Sequence, residues 1–159
     1  MLPSDLLQLS TMTLCTTGAD GLPHAAPVYF TAIEMPGDVS LSVWSLYFFS
    51  EARSQHAHDL THDGRAAIAI YPECREWQDI RGLQMRGEAR QVRPGFEWEI
   101  AWEQYRAKFP FVAHLKAVVA RNDLYAFTPR WVRLVDNQRG FGFKEEWTLE
   151  ERGWLSAAP

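Results

Sequence analysis

The chain has 159 residues and a mass of 18.3 kDa, enough for one domain with one core. Hydrophobic residues at 47% against 23% charged residues exclude a disordered chain. A net charge of −4 supplies no basic field for gripping a phosphate backbone, so nucleic acid is not an expected partner.

In chain order, Ser4-Asp5 ahead of Leu6-Leu7 predicts a capped helical turn. Thr11 to Thr17 alternates and is rich in Thr, as a strand is. Gly18-Ala19-Asp20-Gly21 reads as a hairpin turn into a second strand, Pro23 to Ile33, where Pro27 calls for an edge position or a bulge. A turn at Pro36-Gly37-Asp38 precedes the apolar run Val39 to Phe49. Ser54 to His62 predicts a helix with Ala57 and Leu60 on one side. Arg65 to Tyr71 suits a strand buried on both faces. Leu83, Met85, Gly87 and Ala89 alternate with Gln84, Arg86, Glu88 and Arg90, the pattern of a half-exposed strand. Pro94 opens a helix carrying Trp98, Trp102, Tyr105 and Phe109 as one stripe, and a shorter helical run, Phe111 to Ala120, follows. Asp123 to Thr128 and Arg130 to Asp136 read as two last strands around Pro129. Strand–turn–strand order without βαβ alternation makes this a mainly β (α+β) chain, one domain over residues 1–159.

The longest uncharged stretch, Leu6 to Ala19, is too short and too polar to cross a bilayer. The opening Met1-Leu2-Pro3-Ser4-Asp5 lacks the cationic start of a secretory signal. Cys15 and Cys74 stand far apart in no metal or redox spacing, and the expectation is a cytoplasmic, membrane-free domain with inert thiols. His58 and His62 have the four-residue spacing of a helical zinc pair, but without a third ligand they read as a solvated helix face, and no metal is expected. The aromatic stripe reads as core, while Trp44, Trp77, Trp131 and Trp147 could wall a flat ligand or a subunit interface. Ser50-Glu51-Ala52-Arg53-Ser54-Gln55-His56 collects hydroxyls, a guanidinium and an imidazole at a helix start. That pattern fits an anion cradle and a plain N-cap by Ser54 alike.

Met12 to Phe30, with its Asp20-Gly21 turn and the run Pro23-His24-Ala25-Ala26-Pro27-Val28, resembles the opening hairpin of the pyridoxamine 5′-phosphate oxidase-like flavoproteins. Leu46 to Ser50, then Ser54-Gln55-His56-Ala57 and Asp59-Leu60, is similar to that family's strand, phosphate loop and helix. Arg81 to Ala89 resembles its strand ending in Gly-x-Ala, and Leu124 to Asn137 its closing strands. The resemblance implies an antiparallel, six-stranded split β-barrel with flanking helices. It also implies a homodimer with FMN held at the subunit interface, and oxidoreductase chemistry on a small molecule. It assigns Ser50, Arg53, Ser54, Gln55 and His56 to the flavin phosphate, and Ala25, Ala26, Pro27 and Val28 to the ring. Trp77, Arg81 and Gln84 would sit near the ring or ribityl chain, with Asn137, Arg139 and Phe141 contributed across the dimer. No catalytic acid or base is assigned.

Three departures accompany the resemblance. Gln55-His56 stands where many members carry Arg-Lys, Gly82 where the true oxidases carry Gln, and their C-terminal substrate pattern is not found in Phe141 to Pro159. Pyridoxamine phosphate oxidation is therefore not expected. The family also holds deazaflavin and haem binders, so a deazaflavin- or haem-binding protein is the alternative, followed by a cofactor-free dimeric binding module.

Overall fold

β1 (Thr11–Thr17) and β2 (Pro23–Tyr29) form the expected hairpin in the computed structural model, which describes residues 4–34, 44–150 and 153–156. Gly21 sits at φ 80° in the turn, a conformation that costs glycine nothing. Phe30, fully buried, then pinches the expected long second strand in two, and β3 (Thr31–Glu34) leaves in a new direction. The predicted turn at Pro36-Gly37-Asp38 and the start of the run after it lie outside the described residues. β4 (Trp44–Glu51) carries the rest of that run and leads into α1 (Gln55–His62).

β5 (Arg65–Ile70) and β6 (Arg81–Val92) follow, then α2 (Phe96–Lys108), a 3-10 stretch Pro110–Leu115, the short α3 (Lys116–Val119) and β7 (Asn122–Asp136). β8 (Lys144–Glu150) and β9 (Gly153–Ser156) close the chain. The described strands make one antiparallel sheet in the order β2-β1-β5-β6-β7-β4-β3, with β8 on β7 and β9 on β8. β2 packs beside β4 without a ladder between them, so the sheet curls into a barrel that stays split along that seam. As the sequence requires of Pro27, β2 is an edge strand.

The architecture is the expected antiparallel split barrel, but nine strands are described rather than six. One reason is the Phe30 pinch. Another is the C-terminal hairpin β8–β9, marked only by the short alternation Glu146-Trp147-Thr148-Leu149-Glu150. Pro129, in turn, does not end a strand: β7 runs straight through it as 15 residues. The register slips between Arg86 and Gly87 so that Gly87 faces Pro129 and Arg86 faces Trp131, leaving Arg130 as the extra residue of a bulge. Gly87 is obligatory there, because a Cβ would lie 2.2 Å from the Thr128 carbonyl oxygen and 2.8 Å from Pro129 Cα.

Three smaller expectations need correction. Asp5 does not cap the first turn (Leu6–Gln8); its carboxylate turns to Arg81 instead. β5 is buried on one face only, through Ala66, Ile68 and Ile70, while Ala67 and Ala69 remain half-exposed. Residues 110–115 coil as a 3-10 stretch, so the predicted helix over Phe111 to Ala120 is reduced to the four residues of α3.

Leu14, Leu46, Phe48, Ile70, Leu83 and Phe127, all essentially inaccessible, fill the barrel. At roughly 1.5–3 kcal/mol for each fully buried large side chain, this core dominates stability. The α2 stripe packs as expected: Tyr105 and Phe109 are buried, and Trp98, Trp102 and Tyr105 meet Phe49 of β4 edge-on at 5.0–6.4 Å.

Candidate functional site

Antiparallel pairing throughout fixes which strand ends coincide. The last residues of β4 and β6 share one end of the barrel with the first residues of β2 and β5. At that end the chain turns from β4 into α1 through 51–54, and the bend forms because Ser54 is extended and its Oγ accepts from the Ala57 N–H at 3.3 Å. Ser50 Oγ lies 2.9 Å from Ser54 Oγ and is also hydrogen-bonded to His56 Nε2. Two hydroxyls and an imidazole thus converge on one point at the mouth of a helix, whose first N–H groups are the usual unsatisfied donors. Ser54 caps the helix and faces the cluster, so the two uses left open by the sequence coexist.

The other two residues predicted for this bend turn away. Arg53 is 87% exposed and pairs with Glu51 at 3.0 Å. Gln55 donates to Asp59 Oδ1 at 2.9 Å. Only His56 is left as a group inside the cluster that can carry positive charge. Burial pushes its pKa below the ordinary histidine value, although the Asp59 charge pulls the other way.

Asp59 is a site residue that sequence reasoning missed. It is 2% exposed, and its Oδ2 accepts from Thr16 Oγ1 at 2.7 Å and lies 2.7 Å from His24 Nδ1. Burial raises its pKa, but the hydrogen bonds from Thr16, Gln55 and His24 outweigh this and hold the carboxyl below its usual range. Asp59 therefore ties α1 to β1 and β2, joining the bend to the strand expected along a flavin ring. Helical spacing gave no signal for it, because Asp59 lies about 100° from Leu60 and about 160° from Ala57 around the helix.

The residues predicted along that strand are split by its pleat. Val28 points into the core opposite Met12, and Ala26 opposite Leu14, whereas Ala25 and Pro27 face outward. All four can meet one ring only through the free backbone edge of β2. On the outer face Ala25 begins a row that runs Cys15, Ala67, Arg86, Trp131, Thr148. Pro27 begins the next, which runs Thr13, Ala69, Gln84, Arg133, Glu146. The rows form a shallow face of small side chains bordered by Trp131, with Arg86 stacked 4.2 Å above its ring. Gln84 shares this face with Pro27, with β1 and β5 between them.

The remaining predicted residues gather at the opposite end of the barrel. Asn137 Nδ2 donates to the Trp77 carbonyl at 2.8 Å, and the Trp77 and Phe141 rings meet at 5.5 Å. Arg81 is held between Asp5 and Asp136, and Arg139 pairs with Glu145 at 3.0 Å. The 12-residue β6 separates this cluster from the bend, on the order of 35 Å of extended strand. Within one chain, the Ser50–His56 group and the Trp77–Arg81–Asn137 group do not meet.

The pyridoxamine 5′-phosphate oxidase family matches residues 4–136, which takes in the barrel from the first turn to the end of β7. The chain belongs to this family. A UPF0306 protein of Serratia proteamaculans is 31% identical over 104 residues, 65% of this chain and 68% of that protein. Among solved structures, a pyridoxamine 5′-phosphate oxidase-related, FMN-binding protein of Nostoc punctiforme superposes with a TM-score of 0.63 at 14% identity, covering 98% of this chain and 91% of its own. HutZ, the haem storage protein of Vibrio cholerae, gives 0.63 at 16% identity, covering 79% and 86%. Both likenesses are of fold.

Family membership gives the departures a physical meaning. A Cβ on Gly82 would lie 2.7 Å from the Ile70 carbonyl oxygen and 3.0 Å from Tyr71 Cβ. The space in which the oxidases' Gln would leave the strand is filled here by backbone. At Gln55-His56 one side chain is committed to Asp59, and the other is an imidazole hydrogen-bonded to Ser50.

Proposed function

We propose that this protein is a homodimeric flavoprotein that binds FMN and transfers electrons to or from a small molecule. The observation that carries the reading is the convergence of Ser50, Ser54 and His56 at the start of α1, in a chain of this family. The donors fit a phosphate monoester: two hydroxyls, one imidazole and the helix's first N–H groups. The β2 edge supplies backbone groups for the polar rim of a ring system, and Ala25 and Pro27 leave its outer face low. FMN, when bound, supplies hydride chemistry at N5. The chain's own work is to hold the headgroup at the bend, orient the ring along β2 and exclude water from the seam. Asp59 keeps the two holding segments in register.

The homodimer belongs to the same reading. It is supported by the position of Trp77, Arg81 and Asn137 at the far end of their own barrel, from which a second, oppositely oriented copy would bring them to a ligand at the bend. The test is direct. Purified protein mixed with FMN and desalted should retain flavin absorbance and sediment as a dimer. A colourless protein after FMN saturation overturns the assignment.

One observation favours haem as the second reading. His24 is half-exposed with Nδ1 held 2.7 Å from the buried Asp59, an arrangement that fixes the tautomer of a metal-ligating imidazole. A Soret band in the purified protein that is lost in His24→Ala would favour it over flavin.

A further inference from the structure

We propose that the bend between β4 and α1 binds a phosphate group together with a proton, taken up by His56. The inference rests on the flavin reading for the identity of the ligand but not for the presence of an anion site. Around the bend, β7 sets Asp123 opposite Ser50 in the ladder, a further negative charge beside the cluster. From β4, Glu51 is engaged by Arg53 of the bend, and that pair stands out in solvent. From α1, Asp59 faces the bend from one turn below, buried and ionised. From β2, His24 reaches the cluster only through Asp59. Against Asp59, an entering dianion needs positive charge in the cluster, and His56 is the side chain in contact with the buried Ser50 that can supply it.

Burial keeps the imidazole neutral more readily than in free histidine. A phosphate oxygen near Nε2 reverses that balance: the imidazolium then donates to the phosphate, and Ser50 Oγ and Ser54 Oγ turn their hydrogens toward it. One proton enters with each ligand. Affinity therefore falls as pH rises from the His56 midpoint of the free protein to that of the complex, by up to about tenfold per pH unit. An Arg or Lys at this place would give no such slope at neutral pH.

The experiment follows the His56 ring proton by NMR across pH, its signal identified by its loss in His56→Gln. It is run in inorganic phosphate and in chloride of equal ionic strength. The expected result is a midpoint about one pH unit or more higher in phosphate. A midpoint that is the same in both salts overturns the proposal. A second arm measures FMN affinity against pH for wild type, His56→Gln and His56→Lys. The wild-type slope should be absent from both variants, with His56→Lys retaining tight binding, while the phosphate's own ionisation, common to all three, cancels. A wild-type slope shared by His56→Gln also overturns it. If phosphate raises the midpoint and FMN never binds, the proton-coupled anion site stands and the flavin assignment falls. If FMN binds with no His56-dependent slope, the reverse holds.

Discussion

Replacing Asp59 tests the link between the helix start and the hairpin most directly. Asp59→Ala strands three donors at once. Thr16 is only 3% exposed, so its orphaned hydroxyl costs about 1–3 kcal/mol. Gln55 is exposed and His24 half-exposed; both can re-pair with water, and each lost bond costs about 0.5–1.5 kcal/mol. The expected loss is about 2–6 kcal/mol, read by urea denaturation at pH 7 and fixed protein concentration. Asp59→Asn should cost less, because the Thr16 hydroxyl can rotate and His24 can change tautomer to accept from the new amide. The sign of the pH effect is defined. The folded carboxyl titrates below its ordinary value, so its stabilisation is complete above the unfolded pKa of about 3.9 and is lost as pH falls through the lowered folded value. The gap between wild type and Asp59→Asn should therefore close in acid. An Asp59→Ala protein within about 0.5 kcal/mol of wild type at pH 7, or a gap unchanged at low pH, would refute the reasoning.

Two glycine substitutions probe the barrel itself. Gly87→Ala drives a methyl to 2.2 Å from the Thr128 carbonyl oxygen, so the bulge must shift; the expected loss is about 2–4 kcal/mol by thermal or urea unfolding, and a loss below about 0.5 would show that β7 yields freely. Gly82→Gln, which restores the residue of the oxidases, should lower stability and leave FMN affinity no better, because its Cβ meets the Ile70 carbonyl at 2.7 Å. Tighter FMN binding in that variant, followed by flavin fluorescence, would contradict the crowding found there.

Much of the fold could be read along the chain because its signals are local. The β1–β2 hairpin is marked by Gly18 to Gly21 and by the alternation of Thr11 to Thr17 before it, and β6 by strict alternation from Leu83 to Ala89. Pro27 placed its strand at an edge for a chemical reason, the missing N–H, that holds in any sheet. Pro129 misled because the same rule has an exception at bulges, and the bulge depends on Gly87 of another strand. Of the candidate site, the helix-start cluster was legible as a list of residue types. Which of them face inward was not, since Arg53 and Gln55 are drawn off by Glu51 and Asp59.

The sequence by itself determined the class of the protein: an antiparallel barrel of modest size with hydroxyls and an imidazole gathered before its first internal helix. Patterns of period two, turn residues and caps act over a few neighbours, and they survive without coordinates. Only the tertiary structure decided that Asp59 binds helix to hairpin across 35 and 43 positions of sequence. It alone placed Trp77, Arg81 and Asn137 at the barrel end away from Ser50, and showed Gly82 and Gly87 to be fixed by facing backbone. The physical reason is common to all three. Each depends on a group from another strand or helix arriving within a few ångströms, and strand pairing sets that arrival, not the spacing of residues along the chain.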